Sequence, residues 1–284
     1  MTILRGIIGN TPLIKISESI YAKLETYNPA GSVKDRMIAF VTRRAKLLGQ
    51  IKQNTIFCEA TSGNTGIALS MFAASMGNPC VIFMPKNMSE ERKQMMRVYG
   101  AKIIDAPEDD FVGAIAMRDA FLKTNKNSWS PKQFSNPHNV YCHEKETALE
   151  IHKQVLDLER PWSAFIHGAG TGGTMEGIRR YVEKNNMRTR LCLVKPKESH
   201  HGIQGIADGK DFLLNPENVD RIIEIGTEEA IERAKLFAKE TGLLVGISAG
   251  ANILAAERWT ENNQPRGIVV TMLCDRGERY MSIY

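Results

Sequence analysis

Short apolar runs that alternate with helix-period stretches constrain this chain more than any other feature. "TIFCEA" precedes a helical pattern over Asn64 to Met76, "CVIFMP" one over Ser89 to Tyr99, and "AKIIDA" one over Asp109 to Lys123. Strands joined through helices lie parallel, so repetition of this unit builds a parallel sheet covered by helices. The polar stretch "KTNKNSWSPKQFSNPHN", Lys123 to Asn139, interrupts the rhythm and marks a domain junction. Beyond it the rhythm resumes. "AFIHGAG" leads into a helix over Gly173 to Lys184, "RLCLVKP" follows, and "RIIEIG" precedes a helix over Glu228 to Thr241. "LLVGIS" reads as a strand before a helix from Ala249, and "GIVVTMLCD" as the last strand. The expectation is an α/β fold with two layered domains, residues 1–135 and 136–284, a length that suits two medium cores.

The charge balance narrows the function classes. Thirty-seven basic against 32 acidic residues give a net charge of +5, too mild to imply nucleic acid yet compatible with an anionic cofactor or substrate. Trp129, Trp162 and Trp259 show no stacking pattern for nucleic acid. Cys58, Cys80, Cys142, Cys192 and Cys274 are scattered without metal-ligand spacing, so no metal site and no disulfide framework are expected, and the chain reads as cytoplasmic. "MTILRGIIGNTPL" breaks its apolar stretch at Gly9, Asn10 and Pro12, as neither a signal peptide nor a membrane span would.

In parallel sheets, ligands sit where strand C-termini meet helix N-termini. Three glycine-rich stretches fall there: "TSGNTG" from Thr61, "GAGTGGT" from Gly168 and "GISAGA" from Gly246. In "GAGTGGT" the amides of a helix start, with the hydroxyls of Thr171 and Thr174, suit a phosphate. A tight turn explains one or two of these glycines but not four in six residues. Gly168 to Gly173 also fits GxGxxG, but a dinucleotide site needs an acidic residue near the end of the next strand, and "RLCLVKP" carries Lys195 there. "TSGNTG" groups Thr61, Ser62, Asn64 and Thr65, donors suited to a carboxylate and a ring hydroxyl, where a plain helix cap would use one. In "NPAGSVKDR", Asn28 to Arg36, a lone lysine follows a turn signal and opens a helical run.

"IGNTPL", "NPAGSVKDR", "TSGNTGIALS", "GTGGT", "GISAG" and "DRGERY" occur in this order over nearly the whole chain, which resembles the cysteine synthase branch of the fold-type II pyridoxal phosphate enzymes. That branch includes cystathionine β-synthase and the B-type cysteine synthase. The resemblance implies the tryptophan synthase β-like fold, two three-layer α/β domains with mostly parallel twisted sheets and pyridoxal 5'-phosphate in the cleft between them. It also implies that the first ~25 residues pack on the C-terminal domain, as part of the general layering of such α/β folds. Lys34 matches the lysine that forms the internal Schiff base and then serves as base at the α-carbon. Gly170, Thr171, Gly172, Gly173 and Thr174 match the phosphate cup, Asn64 the partner of the ring hydroxyl, and Ser248 the hydroxyl facing the pyridine nitrogen. Thr61, Ser62 and Thr65 match the loop that grips the substrate carboxylate, and Gln133 completes that grip. Asp35 and Arg36 read as structural. A serine rather than a carboxylate at position 248 disfavours a long-lived quinonoid and favours loss of a β-substituent through an aminoacrylate.

The implied reaction is β-replacement, in the first place O-acetylserine plus sulfide giving cysteine and acetate. Alternatives are release of hydrogen sulfide from cysteine with serine or lanthionine as product, cystathionine β-synthase activity, or service as a regulatory partner of serine acetyltransferase. The other reactant is thus sulfide, a thiol or water, and relatives suggest a homodimer. Departures from the family pattern bear on this choice. The region after "LVKPKES" is shortened, "DDFVGAI" stands at Asp109 to Ile115 in place of the usual mobile segment, and "GIADGK" puts Asp208 where relatives carry small or basic residues. If it faces the cleft, Asp208 would act as base towards a neutral nucleophile. "CDRGERY" resembles the B-type isozyme and puts Cys274 near the cofactor, while His200 and His201 read as a solvated loop, and Met95 and Met96 as a core stripe.

Overall fold

A computed structural model of the chain describes residue 4, residues 6–206 and residues 213–284. The elements run β1 (Leu13–Lys15), β2 (Ile20–Leu24), α1 (Lys34–Leu47), β3 (Ile56–Ala60), α2 (Asn64–Met76), β4 (Cys80–Pro85), α3 (Glu90–Val98), β5 (Lys102–Ala106), α4 (Phe111–Thr124) and β6 (Ser128–Trp129). They continue with α5 (Pro137–Cys142), α6 (Ala148–Leu156), β7 (Trp162–Gly168), α7 (Gly173–Lys184), β8 (Arg190–Pro196), β9 (Arg221–Ile225), α8 (Thr227–Thr241), α9 (Ile247–Asn263) and β10 (Ile268–Leu273). One turn of π-helix, His143–Thr147, welds α5 to α6.

Two sheets result. A four-stranded parallel sheet has the order β5-β4-β3-β6, and a six-stranded sheet the order β1-β2-β10-β7-β8-β9. Within the larger sheet only β1 runs antiparallel, against β2. Every residue of β4 is buried, as a central parallel strand covered on both faces must be. Met37, Ile38 and Val41 of α1 pack with Ile67 and Leu69 of α2 on one face of the smaller sheet, and Ala114 of α4 packs on Cys58, Ala60 and Phe83 on the other. On the larger sheet, Ile151, Met175 and Ile178 from α6 and α7 cover one face, and Ala230, Ala251 and Ala255 from α8 and α9 the opposite one. Each sheet is therefore the middle of three layers.

One expectation fails. The run "LLVGIS" forms no strand: Val245 makes a single bridge to Arg276, and α9 already begins at Ile247. Its apolar side chains are satisfied by packing, Val245 with Phe237 and Leu273, rather than by a ladder. The hairpin of β1 and β2 belongs to the larger sheet, where Tyr21 and Ala22 pair in register with Val270 and Thr271.

Candidate active site

The loop before α1 is stitched to the segment after β10. Val33 N–H donates to the Cys274 carbonyl (2.9 Å), Arg276 N–H to the Gly31 carbonyl (3.2 Å), and Arg279 Nη2 to the Ala30 carbonyl (2.9 Å). Gly31 sits at φ +80°, and a Cβ there would lie 2.8 Å from Arg279 Nη2, so only glycine fits this turn. Asp35 closes the loop from inside by accepting from the Ala30 N–H at 2.6 Å. Burial pushes its carboxyl up to about 7 against that hydrogen bond. Arg36 is fixed by Glu25 (2.7 Å) and Glu150 (2.8 Å), and this buried cluster anchors the helix start that presents Lys34.

Lys34 lines a pocket together with Thr61, Ser62, Asn64, Thr65, Gln133, Gly170, Thr171, Gly172, Thr174 and Ser248. Of the residues singled out in the sequence, Gly173 does not line it: its N–H turns to Thr171 Oγ1 (3.3 Å), and a Cβ there would meet Asn139 Oδ1 at 2.2 Å. Asp208 lies outside the described residues. His200 and His201 do not line the pocket, Met96 is wholly buried in the core, and Cys274 does line the pocket. Thr65 Oγ1 donates to Gln133 Oε1 (2.6 Å), while Gln133 Nε2 donates to the Ala60 carbonyl (3.2 Å). Asn64 donates to Asp275 Oδ2 (2.6 Å) and accepts from Arg279, so the start of α2 is also held by the segment after β10.

Among the lining residues that sequence reasoning did not assign a role are three polar ones, Arg92, His167 and Tyr280, with Asn252 standing behind His167. His167 Nδ1 lies 3.3 Å from Asn252 Nδ2 and 3.9 Å from Cys274 Sγ. Burial, then the charge of Lys34, lowers its pKa to about 3, so the imidazole is neutral. Burial also pushes the Cys274 thiol up to about 12, despite the Lys34 charge and a hydrogen bond with Ser248, which makes it an inert wall. The sequence signal for His167 was a lone polar residue inside the apolar strand "AFIHG"; for Arg92 there was none, because it sits in a charged helix.

A group with a phosphate, an aldehyde and an aromatic ring fits these donors. Gly172 adopts φ +82° at the start of α7, and the first turn of any helix leaves amides without intrahelical partners, here flanked by the Thr171 and Thr174 hydroxyls. A Cβ at Gly170 would come within 2.5 Å of the Gly205 carbonyl oxygen, so the turn and the opposite segment already touch. The described charged side chains of the lining, Lys34 and Arg92, are both basic.

The sequence profile of the pyridoxal-phosphate dependent enzymes matches residues 4–275. The chain belongs to that family. Within it, the chain is 38% identical over 292 residues to cysteine synthase B of Campylobacter jejuni, covering 97% of this chain and 95% of that one. A hydrogen sulfide-producing enzyme of Fusobacterium nucleatum superposes with a TM-score of 0.91 at 35% identity, over 99% of this chain and 90% of the other. An O-acetylserine dependent cystathionine β-synthase of Helicobacter pylori superposes with a TM-score of 0.89 at 32% identity, over 99% and 97%. This pyridoxal-phosphate dependent enzyme is thus of the cysteine synthase branch and fold type II. No described helix is long and apolar enough to cross a membrane.

Proposed function

We propose that the enzyme replaces the β-substituent of a serine-derived amino acid, converting O-acetylserine and sulfide into cysteine and acetate. One observation carries the reading: Lys34, the hydroxyl loop Thr61–Thr65 with Gln133, Gly170, Thr171, Gly172 and Thr174 of the glycine turn, and Ser248 all line one pocket. Lys34 would hold pyridoxal phosphate at its aldehyde carbon, the amides of Gly170 to Gly172 and the hydroxyls of Thr171 and Thr174 its phosphate, Asn64 its ring hydroxyl and Ser248 its ring nitrogen. When bound, the cofactor supplies an electron sink for the α-carbon. Thr61, Ser62, Thr65 and Gln133 orient the substrate carboxylate, and the amine of Lys34, once released, removes the α-proton as the acetate leaves. The buried His167 is neutral and the buried Cys274 keeps its thiol proton, so neither adds a charge beside that amine. The two halves, 1–135 and 136–284, each contribute a wall.

A second reading is supported by the likeness to the hydrogen sulfide-producing enzyme. Cysteine would be the donor, sulfide the leaving group, and Asp208 the base that deprotonates water to give serine, or a second cysteine to give lanthionine. Activity of the cystathionine β-synthase kind differs only in the entering thiol. Five buried free thiols suit a cytoplasmic enzyme. A homodimer is expected from the likeness and is read by sedimentation; a regulatory role on serine acetyltransferase is read by titration with that enzyme's C-terminal peptide.

The test is a donor panel. Purified protein is reduced with borohydride, and the peptide bearing the pyridoxyl group is sequenced; Lys34 is expected. Cysteine formed from O-acetylserine and sulfide supports the first reading, and sulfide released from cysteine with serine or lanthionine the second. A protein that takes up no pyridoxal phosphate refutes both.

A further inference from the structure

Arg92, on the first turn of α3, is 2% exposed and has no carboxylate within 4.0 Å among the described residues. A buried guanidinium without a counter-charge is costly, and a guanidinium stays protonated at any working pH. Its Nη1 donates to the Ser62 carbonyl (3.4 Å) and to Gln204, its plane lies over the Tyr280 ring at 4.7 Å, and its Nε is buried without any partner. Its stem leaves no room beside the loop, since a Cβ on Gly63 would lie 2.5 Å from Arg92 Cδ. A permanent cation is thus packed against the hydroxyl loop and lines the pocket. The loop itself offers hydrogen bonds but no charge. The acids around it are engaged elsewhere: Asp275, beyond the stack, accepts from the Tyr280 hydroxyl and from Asn64 (2.6 Å each), and the neighbouring Glu91, more than 4.0 Å from the guanidinium, accepts from the Ser282 N–H (3.0 Å).

We propose that Arg92 is the counter-charge of the amino acid's α-carboxylate, held behind residues 61–65 by its stack on Tyr280; the inference rests on the reading of that loop given above. The neutral donors of the loop fix the direction of the carboxylate, and Arg92 supplies the electrostatic preference for an acid over a neutral analogue. It is a positioning residue, since its nearest contacts are to the loop. The pocket therefore discriminates between an amino acid and its ester, which differ by one charge at that spot.

The experiment uses the cofactor-loaded enzyme, its Arg92→Gln and Arg92→Lys variants, and two probes, L-serine and L-serine methyl ester, with binding measured by calorimetry and by the visible absorbance of the cofactor. Cofactor content and the absorbance without probe are expected to stay as in the parent. Arg92→Gln should weaken serine tenfold or more, roughly 1.4 kcal/mol per decade, and the ester by less than about twofold, while Arg92→Lys restores part of the preference. Equal weakening of both probes, or none, overturns the proposal. Should Arg92→Gln not fold, Arg92→Lys decides alone: the ratio of acid to ester binding should fall below the parent's, and a lysine variant that keeps the parent's full ratio refutes the counter-charge. Failure of the underlying reading looks different, because the parent then takes up no pyridoxal phosphate or binds no amino acid, and the inference falls with it.

Discussion

His167 should make the apoprotein sensitive to acid in a way that one substitution removes. Its imidazole is 5% exposed, and burial with the charge of Lys34 lowers its pKa from 6.5 to about 3. Because the unfolded chain then binds the proton first, the stability contributed is present above 6.5 and is lost as pH falls towards 3. With these two values, roughly 2 kcal/mol is lost between about pH 7 and pH 5. Asp35 runs the other way. Its folded pKa, raised from 3.8 to about 7, gives stability that is present in acid and lost as pH rises, so over the same interval it gains a similar amount on acidification. The parent's own profile therefore mixes opposing contributions, and only a comparison isolates the histidine. His143, lowered by burial and by Lys34, Arg36 and His167, remains in both proteins. Urea unfolding of cofactor-free parent and His167→Asn at about pH 7, 6 and 5 is the assay. The variant should gain about 2 kcal/mol on the parent between the ends of that range. Profiles that stay parallel within about 0.5 kcal/mol would refute the claim that the fold holds this imidazole neutral.

Arg36→Met leaves Glu25, which is 0% exposed, without its cation, and should cost about 3–5 kcal/mol in urea unfolding; adding Glu25→Gln should return most of that, and a double variant no better than the single one contradicts the pairing. Gly172→Ala puts a side chain at φ +82° and 2.8 Å from the Leu214 N–H, so pyridoxal phosphate affinity measured by dialysis should fall tenfold or more, and unchanged affinity would remove the turn from the cofactor site. Asp208→Asn should slow product formation from cysteine on the order of a hundredfold if Asp208 is the base; a rate equal to the parent's assigns it to the turn "ADG" and favours the cysteine-synthesising direction.

Much of this was legible because the periods are local. The all-apolar β4 and the glycine turns after β3 and β7 declare themselves within six residues. "LLVGIS" misled for the same reason: a run of apolar residues reports burial, and whether a ladder partner lies alongside is decided elsewhere in the chain. Arg92 was invisible because its meaning depends on Gly63 and Tyr280, each far away in sequence.

The segment after β10 shows what a matched motif leaves unsaid. "CDRGERY" is recognisable as a string, but its physical work is to join three parts of the pocket. The Cys274 carbonyl, Arg276 and Arg279 fix the backbone on the N-terminal side of Lys34, Asp275 and Arg279 grip Asn64 from both ends of its amide, and Tyr280 carries Arg92 on its ring. Asp275 pairs with Tyr280 and Asn64 at 2.6 Å each, while its Oδ1 stays buried without a partner and bars any side chain at Gly246, 2.0 Å from a Cβ there. Gly246 caps α9, the helix whose first turn carries Ser248. The lysine, the asparagine, the arginine and the serine are therefore positioned by one stretch of seven residues, so a change in Asp275 should move all four together.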